Sequence, residues 1–151
     1  MRRTVLLLAG VLLCVVALGS DSPKEYDDAT MQVDELQGTW RLVGCEFDGR
    51  KAAAPYPEVL TFCNGTYTHK YYEHDTHSGS YRIDPTHKPQ HLDRIASSGS
   101  LKGRTCRDIF QIDGDTLRIA NMSDQLLNDK RRPQGFNDDN VFVLVYKRVR
   151  K

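Results

Sequence analysis

Eight short runs rich in β-branched, aromatic and aliphatic residues, most of them stopped by Gly, Pro, Asn or Asp, constrain this chain to an antiparallel sheet. The runs are residues 39–47, 59–63, 66–72, 79–83, 91–96, 105–112, 116–120 and 141–147. Asn64-Gly65 between the second and third is the strongest hairpin signal, because a two-residue hairpin turn needs positive φ at both positions. Asp48-Gly49, Asp84-Pro85 and Asp113-Gly114-Asp115 punctuate the others. No stretch keeps a helical period long enough for a substantial helix, so the fold class is all-β. An open eight-stranded sheet would expose two edges, and pairing the first strand with the last removes both. We therefore expect an eight-stranded antiparallel up-and-down barrel, with a two-sheet sandwich as the alternative.

The alternation places Trp40, Leu42 and Gly44 on one face of the first strand, with Arg41, Val43 and Cys45 on the other. The last strand is apolar on both faces and should be covered on both. Residues 51–58, with alanines and two prolines, read as a loop, as do the polar residues 73–78. The Ser-Gly-rich residues 97–103 read as a flexible connection. Residues 121–140 form the one long polar loop, carrying Arg132-Pro133 and the aromatic Phe136. A short helical turn over 31–36 leads into the first strand.

The 151 residues fit one domain preceded by a processed leader. Arg2 and Arg3, an uncharged apolar run over 5–18, and Ala17-Leu18-Gly19 read as a signal peptide over 1–19. The apolar run is short for a membrane span of roughly 20 residues. Leu13 before Cys14, where a lipoprotein wants a small residue, argues against a lipid anchor. A polar leader over 20–35 and a barrel domain over 36–151 complete the division, and the setting is periplasmic or extracellular.

Removing Arg2 and Arg3 from 21 basic residues leaves 19 against 20 acids, a net charge of −1 with His neutral. No basic stripe accompanies this, so nucleic acid is not an expected partner. Lys147, Arg148, Arg150 and Lys151 read as an exposed solvated end. Cys45, Cys63 and Cys106 would meet an oxidising compartment. One pair could bridge, in any of three pairings, or all three could be small buried hydrophobes.

His69, His74, His77, His87 and His91 fall within one third of the chain, with Glu73 and Asp75 beside them. A metal would use such groups. His74 and His77, however, sit in an expected loop, and no His-Glu-x-x-His helix aims two imidazoles at one ion, so no metal site is assigned. Asp113 and Asp115 occupy a tight turn, where Asp serves backbone geometry. Adjacent pairs such as Asp138 and Asp139 lack the opposed placement glycosidic chemistry needs. Ser97, Ser98 and Ser100 lie outside any Gly-x-Ser-x-Gly elbow. Tyr67, His69 and Tyr71 share a face of the third strand and Tyr81 one of the fourth, and these four are the candidate ligand-lining residues.

Gly38-Thr39-Trp40 resembles the Gly-x-Trp opening of lipocalins and other calycin barrels, whose Trp packs near the barrel base under a basic residue of the last strand. The resemblance gives Trp40 a structural role, with Arg148 or Lys147 as its partner. A guanidinium over an indole face contributes about 0.5–2 kcal/mol. In order, the chain also carries Leu36-Gln37-Gly38-Thr39-Trp40, Asp48-Gly49, Leu60-Thr61-Phe62, Gly79-Ser80-Tyr81, Asp84-Pro85, Ile112-Asp113-Gly114-Asp115-Thr116-Leu117, Arg132-Pro133 and Tyr146-Lys147-Arg148. This succession resembles a lipocalin-like domain family abundant in planctomycete bacteria, for which no activity is established. The likeness implies a fold and an extracytoplasmic setting, and fold alone transfers no function.

The expectation is an exported, non-enzymatic barrel without cofactor that takes a small apolar or amphipathic molecule. The alternative is a filled-core structural or protein-interaction module acting through residues 121–140, and an enzyme ranks third.

Overall fold

The structure, a computed structural model, describes residues 35–71, 75–123 and 131–150, with the backbone alone at Asp75. The expected signal peptide, most of the leader, Glu73 and His74 lie outside the described residues.

Among the described residues nine strands follow one another: β1 (Gly38–Phe47), β2 (Arg50–Ala53), β3 (Glu58–Cys63), β4 (Thr66–Tyr71), β5 (Asp75–Asp84), β6 (Gln90–Ala96), β7 (Thr105–Asp113), β8 (Thr116–Met122) and β9 (Val141–Arg148). From β3 to β9 each strand pairs antiparallel with the next, and β1 pairs with both β3 and β9. These eight strands close an antiparallel barrel. No helix among the described residues is long and apolar enough to cross a membrane.

β2 is a correction, since residues 51–58 read as a loop. It folds back across Asp48-Gly49 onto Gly44–Phe47 of β1 while β3 occupies the same edge only over Gly38–Arg41. All four β2 side chains are exposed, so backbone pairing makes this strand without any hydrophobic alternation to announce it. Positive φ at Asp48 and Gly49, and again at Asn64 and Gly65, fits the mirror-image turns that tight hairpins favour.

A second correction concerns β5, which begins at Asp75, so the polar segment before Gly79 is strand and His77 lies within it. A third lies in β1. The β1–β9 register skips Val43 between Leu42 and Gly44. This bulge turns Val43 to solvent and brings Cys45 to the inside with Trp40 and Leu42.

The interior is layered. Its lower part packs Leu36, Trp40, Leu60, Phe62, Leu92, Phe110, Leu117, Ile119 and Tyr146 into one apolar core. Burying a side chain of this size is worth about 1.5–3 kcal/mol. Trp40 Nε1 donates to Leu36 O at 2.9 Å, and the Arg148 guanidinium lies 4.0 Å over the Trp40 ring. Arg148 also donates to Gln37 O at 2.6 Å and Glu35 O at 2.5 Å. Glu35 and Leu36 are helical, and these donors satisfy carbonyls that a helix end leaves open.

A smaller apolar cluster sits outside the barrel wall: Ile109, Ala120, Met122, Val141 and Val143, with Phe136 and Val145 packed against it. The loop residues that follow position 130 cover it, which explains why β9 is apolar on both faces. Arg118 lies 4.5 Å over the Phe136 ring. Arg132 anchors the same loop by donating to Asp108 O and pairing with Asp93.

The basic end of the chain is not merely solvated. Arg150 pairs with Asp115, and Lys147 Nζ donates to Thr116 Oγ1 at 2.7 Å, tying β9 to the β7–β8 turn. Cys45 and Cys63 are free thiols, the first buried and the second exposed.

Candidate functional site

Above the apolar layer the interior turns polar. Glu58, His69, His77, Arg94 and Asp108 are all buried, although Glu58, Arg94 and Asp108 have side chains that normally stay at the surface. Glu58 opens β3, and antiparallel registry sets His69 opposite Leu60 and His77 opposite His69. Strict alternation then aims Tyr67, His69 and Tyr71 of β4 inward together, with His77 and Tyr81 of β5 and Arg94 of β6.

Two sets of contacts organise this layer. Tyr146 O–H donates to Glu58 Oε1, and His69 Nε2 stands 2.5 Å from the same oxygen. Burial pushes the His69 pKa below the ordinary imidazole value, with Glu58 opposing, so at neutral pH the ring is uncharged. Burial, reinforced by the Glu58 charge, raises the Tyr146 phenol well above its usual range. Arg94 Nε donates to Asp108 Oδ2 at 2.7 Å. Burial disfavours the Arg94 cation, but the Asp108 carboxylate outweighs it and holds the guanidinium protonated. Glu58 Oε2 and Asp108 Oδ1 are buried and accept no hydrogen bond from any described residue. Such groups cost stability and mark a layer shaped by something besides packing.

A cavity of about 350 Å³ opens on this layer at the end of the barrel away from Trp40. Tyr67, His69, Tyr71, His77, Arg94 and Cys106 form its polar and aromatic wall. Phe47, Leu101 and Phe142 form an apolar one, with Asn121, Met122 and Ser123 at its margin. The Tyr71 ring lies 3.9 Å from the His69 ring and meets His77 edge-on at 5.4 Å. Arg94 sits 5.9 Å over the Tyr67 ring. Burial raises the pKa of both Tyr67 and Tyr71, so both phenols stay protonated donors.

Three of the four sequence-derived candidates, Tyr67, His69 and Tyr71, thus line one cavity. Tyr81 does not: it stacks edge-on against Phe62 at 4.9 Å in the packed core. Arg94, His77 and Cys106 were missed. A polar side chain on a short strand signals an outward face, and only registry with the neighbouring strands shows otherwise.

Part of the loop expected to be flexible is clamped beside the cavity. Ser97 N and Ser98 N donate to Ser78 O at 2.8 and 3.2 Å, and Ser78 N donates to Ser98 Oγ at 2.9 Å. Gly99 rests against His77 so closely that a Cβ there would fall 2.3 Å from Nδ1.

A second depression, about 390 Å³, lies at the opposite end beside Glu35, Lys88, Gln90, Gln111 and Phe136. It gathers no comparable set of buried polar groups, so the first cavity is the better candidate site. No family model matches the chain, and neither a curated protein nor a solved structure does.

Proposed function

We propose that this chain is an exported, non-enzymatic, lipocalin-like barrel that binds a small amphipathic molecule in the cavity above its polar layer. The observation that carries the reading is the divided wall of that cavity. Phe47, Leu101 and Phe142 offer apolar contact, and Arg94, Tyr67 and Tyr71 offer donors opposite. Ligand sites commonly combine an apolar lining with a few convergent polar groups in about 300–1,000 Å³. A wholly apolar occupant would leave the Arg94 guanidinium facing hydrocarbon, which costs free energy. The filled lower layer confines the ligand to one end and favours a compact molecule over a long chain.

Native mass spectrometry of the protein purified from its own envelope tests the reading. A retained small molecule, lost from a Cys106→Trp variant that fills the cavity, is the expected result. A bare mass with a co-purifying protein would replace the carrier with an interaction module.

A further inference from the structure

We propose that Asp84, His87 and His91 form a binding site for a divalent transition-metal ion of the zinc or copper class. Asp84 ends β5 and pairs directly with His91 of β6, and His87 lies in the five-residue connection between them. One ligand atom from each of the three lies within 4.8 Å of the others. This trio differs from the histidines that adjacency in sequence grouped, since His77 is buried beside the cavity at the other end of the barrel.

The carboxylate is oriented before any ion arrives. Asp84 Oδ1 accepts from Thr86 N at 3.0 Å and from Thr86 Oγ1 at 2.6 Å, while Oδ2 stands 3.2 Å from His87 Nδ1. The His87 and His91 rings stack with centroids 3.8 Å apart and planes 17° from parallel. An ion lies in the plane of the imidazole that binds it, so two stacked rings cannot share one without a turn. His87 can make that turn, its side chain being 53% exposed.

Two imidazoles and one carboxylate form a donor set of borderline softness. It suits zinc, copper or nickel and leaves a fourth position for water, whereas calcium and magnesium demand more oxygens. The nearby Arg132 charge would oppose a cation, but Arg132 is paired with Asp93.

The test is titration of the purified, tag-free full chain with zinc chloride against a chromogenic chelator, and electron paramagnetic resonance of the copper(II)-loaded chain. One equivalent should bind. His87→Ala and His91→Ala should each weaken it roughly tenfold or more, as loss of one of three ligands requires. His74→Ala should bind as the parent does, and copper hyperfine structure should show two imidazole nitrogens. Circular dichroism will confirm that these surface variants fold. Absence of saturable binding, unaltered binding by both variants at 87 and 91, or loss on His74→Ala would overturn the proposal.

Discussion

The Arg148 guanidinium lies 4.0 Å over the Trp40 ring, and the two residues are direct partners across the seam where β9 meets β1. The contact does more than join two strands. Arg148 reaches past the ring to Gln37 O and Glu35 O, and Trp40 Nε1 reaches Leu36 O, so both fasten the segment that plugs the barrel base. Closure of the sheet and closure of its end are one set of interactions.

Trp40→Ala removes a fully buried indole and should cost about 3–5 kcal/mol in urea unfolding. Arg148→Lys keeps the charge but not the planar fork, and should cost about 1–3 kcal/mol through lost hydrogen bonds. The double variant should cost less than the two singles together, by about 0.5–2 kcal/mol of coupling. Strict additivity would show that ring and guanidinium do not cooperate.

Gly79 gives a second test of the wall. A Cβ there would lie 1.9 Å from Ile95 O, a backbone atom that cannot swing away, so β5 and β6 must part to admit a methyl group. Gly79→Ala should destabilise by about 1–3 kcal/mol or more, even though Ala suits a strand better in isolation. Hydrogen exchange should quicken first along the β5–β6 pair, and a stabilised variant would contradict the close approach.

Stability should fall on both sides of neutrality. His69 titrates near 6.5 when unfolded and lower when folded, so the unfolded chain binds the proton more tightly. Its contribution is complete above 6.5 and is lost as pH falls below that value toward the folded pKa. Glu58, His77 and Arg94 surround the ring and set the depth of that loss. On the alkaline side Tyr146 and Tyr71 are held protonated in the fold, so stability should decline above the ordinary tyrosine value of 10.0. Melting temperatures measured across this range should trace a dome. His69→Gln should flatten its acid limb, and an unchanged limb would remove His69 from the account.

The strands that the sequence reveals are those whose inward positions carry ordinary apolar residues, such as β1, β3, β8 and β9. Turn chemistry at Asn64-Gly65 and Asp48-Gly49 marked two hairpins for the same local reason. The Trp40–Arg148 contact was legible through resemblance, because one residue opens the domain and the other nearly ends it. β2 was hidden because its four side chains are exposed, and the start of β5 because polar residues precede Gly79. Cys45 was placed on the wrong face because a bulge at Val43 breaks the period of two, and no local signal announces it. The site was half legible. Tyr67, His69 and Tyr71 follow from one strand's alternation, whereas Arg94, His77 and Asp108 become interior only once neighbouring strands fix their registers.

Arg94 and Asp108 form a nearly water-free ion pair, with side chains 7% and 0% exposed, and this gives the sharpest test of the polar layer. Arg94→Met strands the Asp108 carboxylate without its cation and should cost about 3–5 kcal/mol. Replacing both, as Arg94→Met with Asp108→Leu, removes the two desolvation penalties together and should recover most of that loss. Stability alone therefore does not explain the pair: an apolar layer of similar volume would serve the barrel nearly as well. If Arg94 is retained to meet the polar end of a ligand, the double variant will fold, yet purify without the small molecule that the parent carries. A double variant that unfolds, or that still carries the molecule, would return Arg94 to a purely structural role.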